Sequence, residues 1–174
     1  MVKGLQHAYD NDLPVVYLDE VVFIKTSIGK RTWTNRGVHL VTDHSEFYSG
    51  FRTVIAAVSS AMGIILTDSE EVCTNEERFL KFIPKLSTCM GGEPFALYLD
   101  QLIVHKMKTV RAEYDKYNIY PIFNIPASPE MNPIETCFAQ VKRIYKKERL
   151  NALVNKRPFD MDSTIDKAFD VITP

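Results

Sequence analysis

The sequence predicts an α/β domain, with a mixed five-stranded sheet flanked by helices. Three observations lead there. Residues 14–23 form an almost unbroken apolar, β-branched run; residues 95–100 form a second; and amphipathic helical stretches alternate with such runs along the chain. A strand covered by helices on both faces reads as a continuous apolar run rather than an alternating one. At 174 residues, the chain has room for one domain with a substantial core and little room for two, so residues 1–174 are read as a single domain.

The elements follow in order. Pro14–Phe23 is a central strand interrupted by Asp19 and Glu20. Residues 29–50 are polar and turn-rich, a long excursion. Residues 51–58 and 62–67 read as a hairpin joined near Ser59–Ser60. Thr74-Asn-Glu-Glu77 resembles a capping box that opens a helix through residue 83, where Pro84 ends or kinks it. Phe95–Asp100 is a strand finishing on an acid. Residues 105–117 show helical spacing through Met107, Val110, Tyr114 and Tyr117, and Ile119–Phe123 is a short strand. After a proline-rich turn comes the best helix, with Ile134, Phe138, Val141 and Ile144/Tyr145 on one stripe. Ser163 caps a last helix carrying Ile165, Phe169 and Ile172.

Composition excludes several classes. The hydrophobic fraction of 45% and charged fraction of 25% are those of an ordinary globular protein. No apolar run approaches the roughly 20 residues that cross a bilayer, and the first residues lack the apolar core of a secretory signal. Cys73, Cys89 and Cys137 are an odd, unclustered set, which favours a reducing compartment over a disulfide framework or zinc knuckle and reads as ordinary part-buried thiols. A net charge of −1 gives no general basic character, so any grip on nucleic acid needs its cations clustered.

Acids within apolar strands need an explanation, because a buried carboxylate is costly unless paired, hydrogen-bonded or metal-bound. Strand alternation puts Asp19 on one face with Tyr17 and Val21, and Glu20 on the other with Leu18. Asp100 lies where a strand meets a loop, the usual ligand address in open α/β sheets. If the two strands are neighbours, Asp19 and Asp100 face each other and repel unless a divalent cation lies between them. Such hard oxygen donors suit Mg²⁺ or Mn²⁺. Asp19 and Asp100 each also fit a cap on a following turn. Glu135 has two readings as well. With Asn132 at the N-cap and Pro133 following, it completes a capping arrangement; held on a rigid helix, it is a third carboxylate aimed at the two strand ends.

Three segments together resemble the mariner-type branch of the DDE transposase and integrase superfamily. Tyr17-Leu-Asp-Glu20, followed by Lys30-Arg-Thr-Trp33 and Gly37, is similar to its first motif. Leu97-Tyr-Leu-Asp-Gln-Leu-Ile-Val-His-Lys106 is similar to its strand ending Asp-Asn with a histidine beyond. Ile125-Pro-Ala-Ser-Pro-Glu-Met-Asn-Pro-Ile-Glu135 is similar to its Ser-Pro-x-x-Asn-Pro-Ile-Glu signature. Asp100 and Glu135 stand 35 positions apart, so 34 residues intervene, a spacing of one large group in the family. The third motif is specific, the second moderately so, and the first weak.

The resemblance implies a ribonuclease H-like fold and assigns Asp19, Asp100 and Glu135 as a catalytic, metal-binding triad. It further implies DNA cleavage and strand transfer in cut-and-paste transposition, with two Mg²⁺ or Mn²⁺ ions about 3.5–4 Å apart. Gln101, His105 and Asn132 are supporting positions. Gln101 departs from the family's Asn and weakens that support; His105 also reads as an exposed helix-start histidine. Transposon ends and target DNA would be gripped by Lys142, Arg143, Lys146, Lys147 and Arg149 on the long helix, and by Lys25, Lys30, Arg31 and Arg36, all of which equally suit solvated surface. The excursion over residues 30–50 suits a homodimer contact, and the family implies a nuclear, intracellular location. The helix-turn-helix region that finds element ends is expected to be absent from this chain, which reads as a fragment or a reduced descendant. Two other functions stay open: a domesticated endonuclease in programmed DNA elimination, separable by strand-transfer assays on a pre-cleaved donor, and a non-catalytic DNA-binding or assembly module.

Overall fold

The computed structural model describes residues 1–25, 36, 50–126 and 128–172. Five strands, β1 (Val15–Ile24), β2 (Phe51–Ser59), β3 (Gly63–Glu70), β4 (Phe95–Leu99) and β5 (Ile119–Phe123), form one sheet in the order β3-β2-β1-β4-β5. β1, β2 and β3 pair antiparallel; β4 lies parallel to β1 and β5 parallel to β4. The sheet is therefore mixed, as expected, with both parallel pairings on one side of β1.

The helices are α1 (Val2–Asp10), α2 (Glu76–Cys89), α3 (Lys108–Lys116), α4 (Ile134–Val154) and α5 (Met161–Asp170). On one face Phe79, Phe82, Ile83 and Leu86 of α2 and Val110 and Tyr114 of α3 pack on Leu18, Ile55, Leu97 and Leu99. On the other, Ile134, Phe138, Val141 and Tyr145 of α4 and Ile165 and Phe169 of α5 cover Val21, Phe23, Val54 and Ala56. Each large side chain buried this way contributes about 1.5–3 kcal/mol, so both layers are secured by many such terms. Among the described residues no helix is long and apolar enough to cross a membrane.

Several elements differ from expectation. α1 was not foreseen: Ala8 packs it against Ala96, Tyr98 and Ile122, but no side chain caps its start and Gly4 sits within it. That glycine sits at a close approach, since a Cβ there would lie 3.1 Å from Ile122 Cγ2 and the isoleucine would have to give way. α2 runs on through Pro84 to Cys89, because Phe82, Ile83 and Leu86 bury on both sides of the proline. Its cap is Asn75 rather than Thr74, with Arg78 N donating to Asn75 Oδ1 at 2.9 Å. The helix expected from 105 starts as a separate 3₁₀ turn, Val104–Lys106. α5 is capped by Asp160, whose Oδ1 accepts from Ser163 N, so Ser163 is a recipient of the cap and not the cap itself. Cys73 and Cys89 are exposed rather than part-buried, lying in the bend before α2 and at its last residue.

Arg78 fastens α2 to the sheet. Its guanidinium is buried and donates to Asp68 Oδ2 (2.9 Å), Val72 O (3.0 Å), Thr53 O (2.7 Å) and Asp68 O (2.5 Å). Arg52 performs a similar task for α5 through a paired contact with Asp162, while also contacting Glu71.

Candidate active site

The parallel pairing of β1 with β4 ends at Tyr17↔Tyr98, two residues before each acid. Beyond that point Asp19 remains paired to Ala56 of β2, and Asp100 follows the last residue of β4. Glu135 is the second residue of α4, whose N-terminus comes to the same place. Asp19, Asp100 and Glu135 thus line one cleft of about 470 Å³, together with Gln101, Asn124 and Asn132. A crevice beyond the carboxyl ends of parallel strands is where open α/β sheets bind ligands.

Each acid is held differently. Asp19 Oδ1 accepts from Glu20 N at 2.8 Å, and its Oδ2 accepts from Asn132 Nδ2 at 3.2 Å. Burial pushes the Asp19 carboxyl up to about 7, against the pull of the Glu20 N–H, with the charges of Glu20, Asp100 and Glu135 adding to the rise. Asp100 Oδ1 accepts from Leu102 N at 2.9 Å, the turn contact that its sequence position suggests, and lies 2.9 Å from His105 Nδ1. The latter is a charge contact rather than an aligned hydrogen bond. Burial raises the Asp100 carboxyl, but His105 and the Leu102 N–H outweigh it and hold the group below the usual carboxylate range.

Asn132 does not cap α4, whose start has no side-chain cap. Its carboxamide is buried and reaches β1 instead, donating to Leu18 O at 3.3 Å as well as to Asp19. The capping arrangement is replaced by a long-range tie, and Glu135 is left to line the cleft. Further along, Tyr145 Oη donates to Ile24 O and Arg149 Nε to Lys25 O, so the segment from Asn132 through α4 is tied by side-chain bonds to the backbone of β1 and of Lys25 just past it.

His105 is fully buried, which overturns its reading as an exposed histidine. Its Nε2 lies 3.3 Å from Glu20 Oε1, and the Phe79 ring stands 4.6 Å away, centroid to centroid. Burial lowers its basicity, yet the flanking Asp100 and Glu20 carboxylates raise it to about 9. Glu20, Asp100 and His105 each bring a ligand-type atom within 4.8 Å of the others. Gln101 Nε2 donates to Asn124 O at 2.6 Å and its Oε1 accepts from Lys106 Nζ at 2.7 Å, joining the ends of β4 and β5.

Glu20 and Asn124 are site neighbours to which the sequence reading assigns no role. Asn124 is buried; Tyr98 Oη donates to its Oδ1 at 2.7 Å, and its Nδ2 donates to Ser128 O at 2.7 Å, bracing the loop before α4. Its signal was an Asn closing a strand before a proline-rich turn. Glu20's signal was a second acid on the opposite face of an apolar strand.

Of the basic candidates, Lys142, Arg143, Lys146, Lys147 and Arg36 are exposed. Lys30 and Arg31, like the proposed homodimer contact over 30–50 apart from Arg36 and Gly50, lie outside the described residues. Arg149 is the exception on α4: it is buried, its guanidinium 5.0 Å over the Phe159 ring. At 100° per residue, Lys142 and Lys146 fall within about 20° of the direction of Glu135, two and three turns further along α4.

A mixed sheet in this order, flanked by helices on both faces, with one acid within the central strand, one just past β4 and one at a helix start, defines a ribonuclease H-like domain. The chain belongs to the DDE superfamily endonucleases, the family that matches residues 14–154. Solved structures agree in fold. The Mos1 transposase paired-end complex with left transposon end superposes with a TM-score of 0.69 at 15% identity, covering 97% of this chain and 50% of that one. The Mos1 mariner transposase catalytic domain gives 0.61 at 13%, covering 97% and 77%. The simian T-cell lymphotropic virus intasome gives 0.63 at 12%, covering 90% and 48%. The chain spans about half the length of the first structures it matches. Among curated proteins, none matches.

Proposed function

We propose that this domain is the catalytic domain of a DNA transposase that cleaves and joins DNA strands, working as a homodimer on transposon ends and target DNA. The observation that carries the reading is the convergence of Asp19, Asp100 and Glu135 on one cleft, where burial and three like charges leave Asp19 with its carboxyl raised. This donor set fits a hard divalent cation: all three side chains offer carboxylate oxygen, and a cation relieves the repulsion that they exert on one another. Mos1 catalytic-domain structures with Mn and with Mg share the fold and support the choice of ion.

When bound, two Mg²⁺ or Mn²⁺ ions supply charge stabilisation and an acidified oxygen nucleophile for phosphoryl transfer. The chain's own residues do the rest. Asp19, Asp100 and Glu135 would hold the ions, with Asn132 in contact with Asp19 and His105 in contact with Asp100. Lys142, Arg143, Lys146, Lys147 and Arg36 neutralise flanking phosphates. Water attack on the scissile phosphate, then attack of the freed 3′-hydroxyl on target DNA, are the two reactions served.

Calorimetric titration of Mn²⁺ tests the site. Wild type binds at millimolar concentration or tighter, and the Asp19→Asn, Asp100→Asn double variant does not; identical isotherms would reject the reading. Repeated across pH, the titration has a defined sign. Below about 7 Asp19 is protonated in the metal-free fold, so affinity rises with pH up to about 7 and then levels. In the steep range the change is about tenfold per pH unit, one proton being displaced. Without metal the sign reverses for stability, because the folded state holds a proton that the unfolded chain has lost; the metal-free protein gains stability as pH falls through 7.

DNA contact by α4 is tested by salt. Each duplex phosphate neutralised contributes about 0.9 to the slope of log affinity against log salt. Lys142→Ala with Lys146→Ala is expected to reduce that slope by about 1.8. An unchanged slope in duplex-binding measurements would assign these lysines to solvent.

A further inference from the structure

Resting on the reading of the cleft as a metal centre, we propose that Glu20 is a positioning residue that orients Asp100 for its metal through His105. Strand alternation sends neighbouring acids to opposite faces of β1. Asp19 meets Asn132 on the α4 side; Glu20 points to the α2 and α3 side, where its side chain is only 11% exposed. A carboxylate in that setting is costly to desolvate without a partner. The partner is His105, on the 3₁₀ turn that follows β4, with Nε2 3.3 Å from Glu20 Oε1.

The imidazole spans two carboxylates. Its other nitrogen, Nδ1, lies 2.9 Å from Asp100 Oδ1, the same oxygen that accepts from Leu102 N at 2.9 Å. Both contacts fall on Oδ1, one a hydrogen bond from Leu102 N and the other a charge contact with the imidazole, and Oδ2 is left over for a ligand. His105 has no freedom to drift, being fully buried with the Phe79 ring against it. Glu20 supplies the polar contact at Nε2, as Asp100 does at Nδ1. A metal held by Glu20, Asp100 and His105 themselves fits less well, since each imidazole nitrogen already faces a carboxylate. Groups that hold metal ligands from behind commonly contribute 10- to 100-fold in metal affinity or activity.

The test is Mn²⁺ binding, read by the electron paramagnetic resonance of free Mn²⁺, in wild type, Glu20→Ala and Glu20→Gln, with thermal melts of each. Glu20→Ala is expected to weaken Mn²⁺ binding by about 10- to 100-fold. Glu20→Gln keeps an acceptor for His105 Nε2 and is expected to bind as wild type does. If Glu20→Ala does not fold, Glu20→Leu, which fills the space without an acceptor, takes its place with the same expectation. Unchanged affinity in the Ala or Leu variant overturns the proposal, as does an equal loss in Gln, which would make charge rather than position the cause. Wild type that binds Mn²⁺, with binding lost in the Asp19→Asn, Asp100→Asn variant and kept in Glu20→Ala, overturns the role of Glu20 alone. Wild type that binds none overturns this proposal and the metal reading together.

Discussion

Glu135→Gln is expected to reduce metal-dependent DNA cleavage by roughly 10³-fold while leaving the domain folded. The substitution keeps the size of the side chain and removes only its charge. Loss of a metal ligand forfeits part of a stabilisation worth several kcal/mol, and about 4 kcal/mol corresponds to 10³ in rate at 1.36 kcal/mol per tenfold. Stability moves little because two effects oppose each other. Glu135 lies in the first turn of α4, where a negative charge gains about 0.3–1 kcal/mol from the helix dipole. Its charge also adds to the repulsion that raises Asp19, and the amide relieves that. Single-turnover cleavage of a DNA duplex with Mn²⁺, beside a thermal melt, measures both. Cleavage within tenfold of wild type would remove Glu135 from the catalytic set.

Arg78→Met should be the most damaging substitution far from the cleft, costing about 3–5 kcal/mol. Methionine fills much of the volume, so the loss is polar. The carbonyls of Thr53, Asp68 and Val72 lose their donor, and the Asp68 carboxylate, 16% exposed, is left with Lys85 at 3.3 Å. For a chain of this size each kcal/mol lowers Tm by about 2–4 °C, so a drop of roughly 10 °C follows. Urea denaturation would show a lower midpoint at unchanged slope. An unchanged midpoint would mean that α2 is held by its apolar face alone.

The legible parts of the molecule were those whose physics is local. β5 has the bounds that its apolar run suggests, and β1 and β4 are within a residue of theirs; the stripe Ile134, Phe138, Val141, Tyr145 marks the face that α4 buries. The convergence of Asp19, Asp100 and Glu135 was legible only through the order and spacing of three motifs. What stayed hidden depended on partners far along the chain. His105 reads as exposed because its partner Glu20 is 85 positions away, and Asn132 reads as a cap because Asp19 is 113 positions away. Local pattern favours a cap for such an Asn; the structure gives its amide to a strand. α1 is amphipathic, but it has one buried residue, an internal Gly4 and no side-chain cap to mark its start.

The bonds from Asn132 and α4 to the backbone of the β1 segment have a consequence beyond the cleft. On its β4 side, β1 has a strand partner only over Val15–Tyr17 among the described residues. Past that point an unpaired strand edge would be open to association with another copy, the usual route from a loosened sheet to aggregation. Asn132 and Tyr145 occupy the carbonyls of Leu18 and Ile24 there, and Arg149 takes that of Lys25 just past the strand. The segment that brings Glu135 to the cleft thus also covers part of the open edge of the central strand.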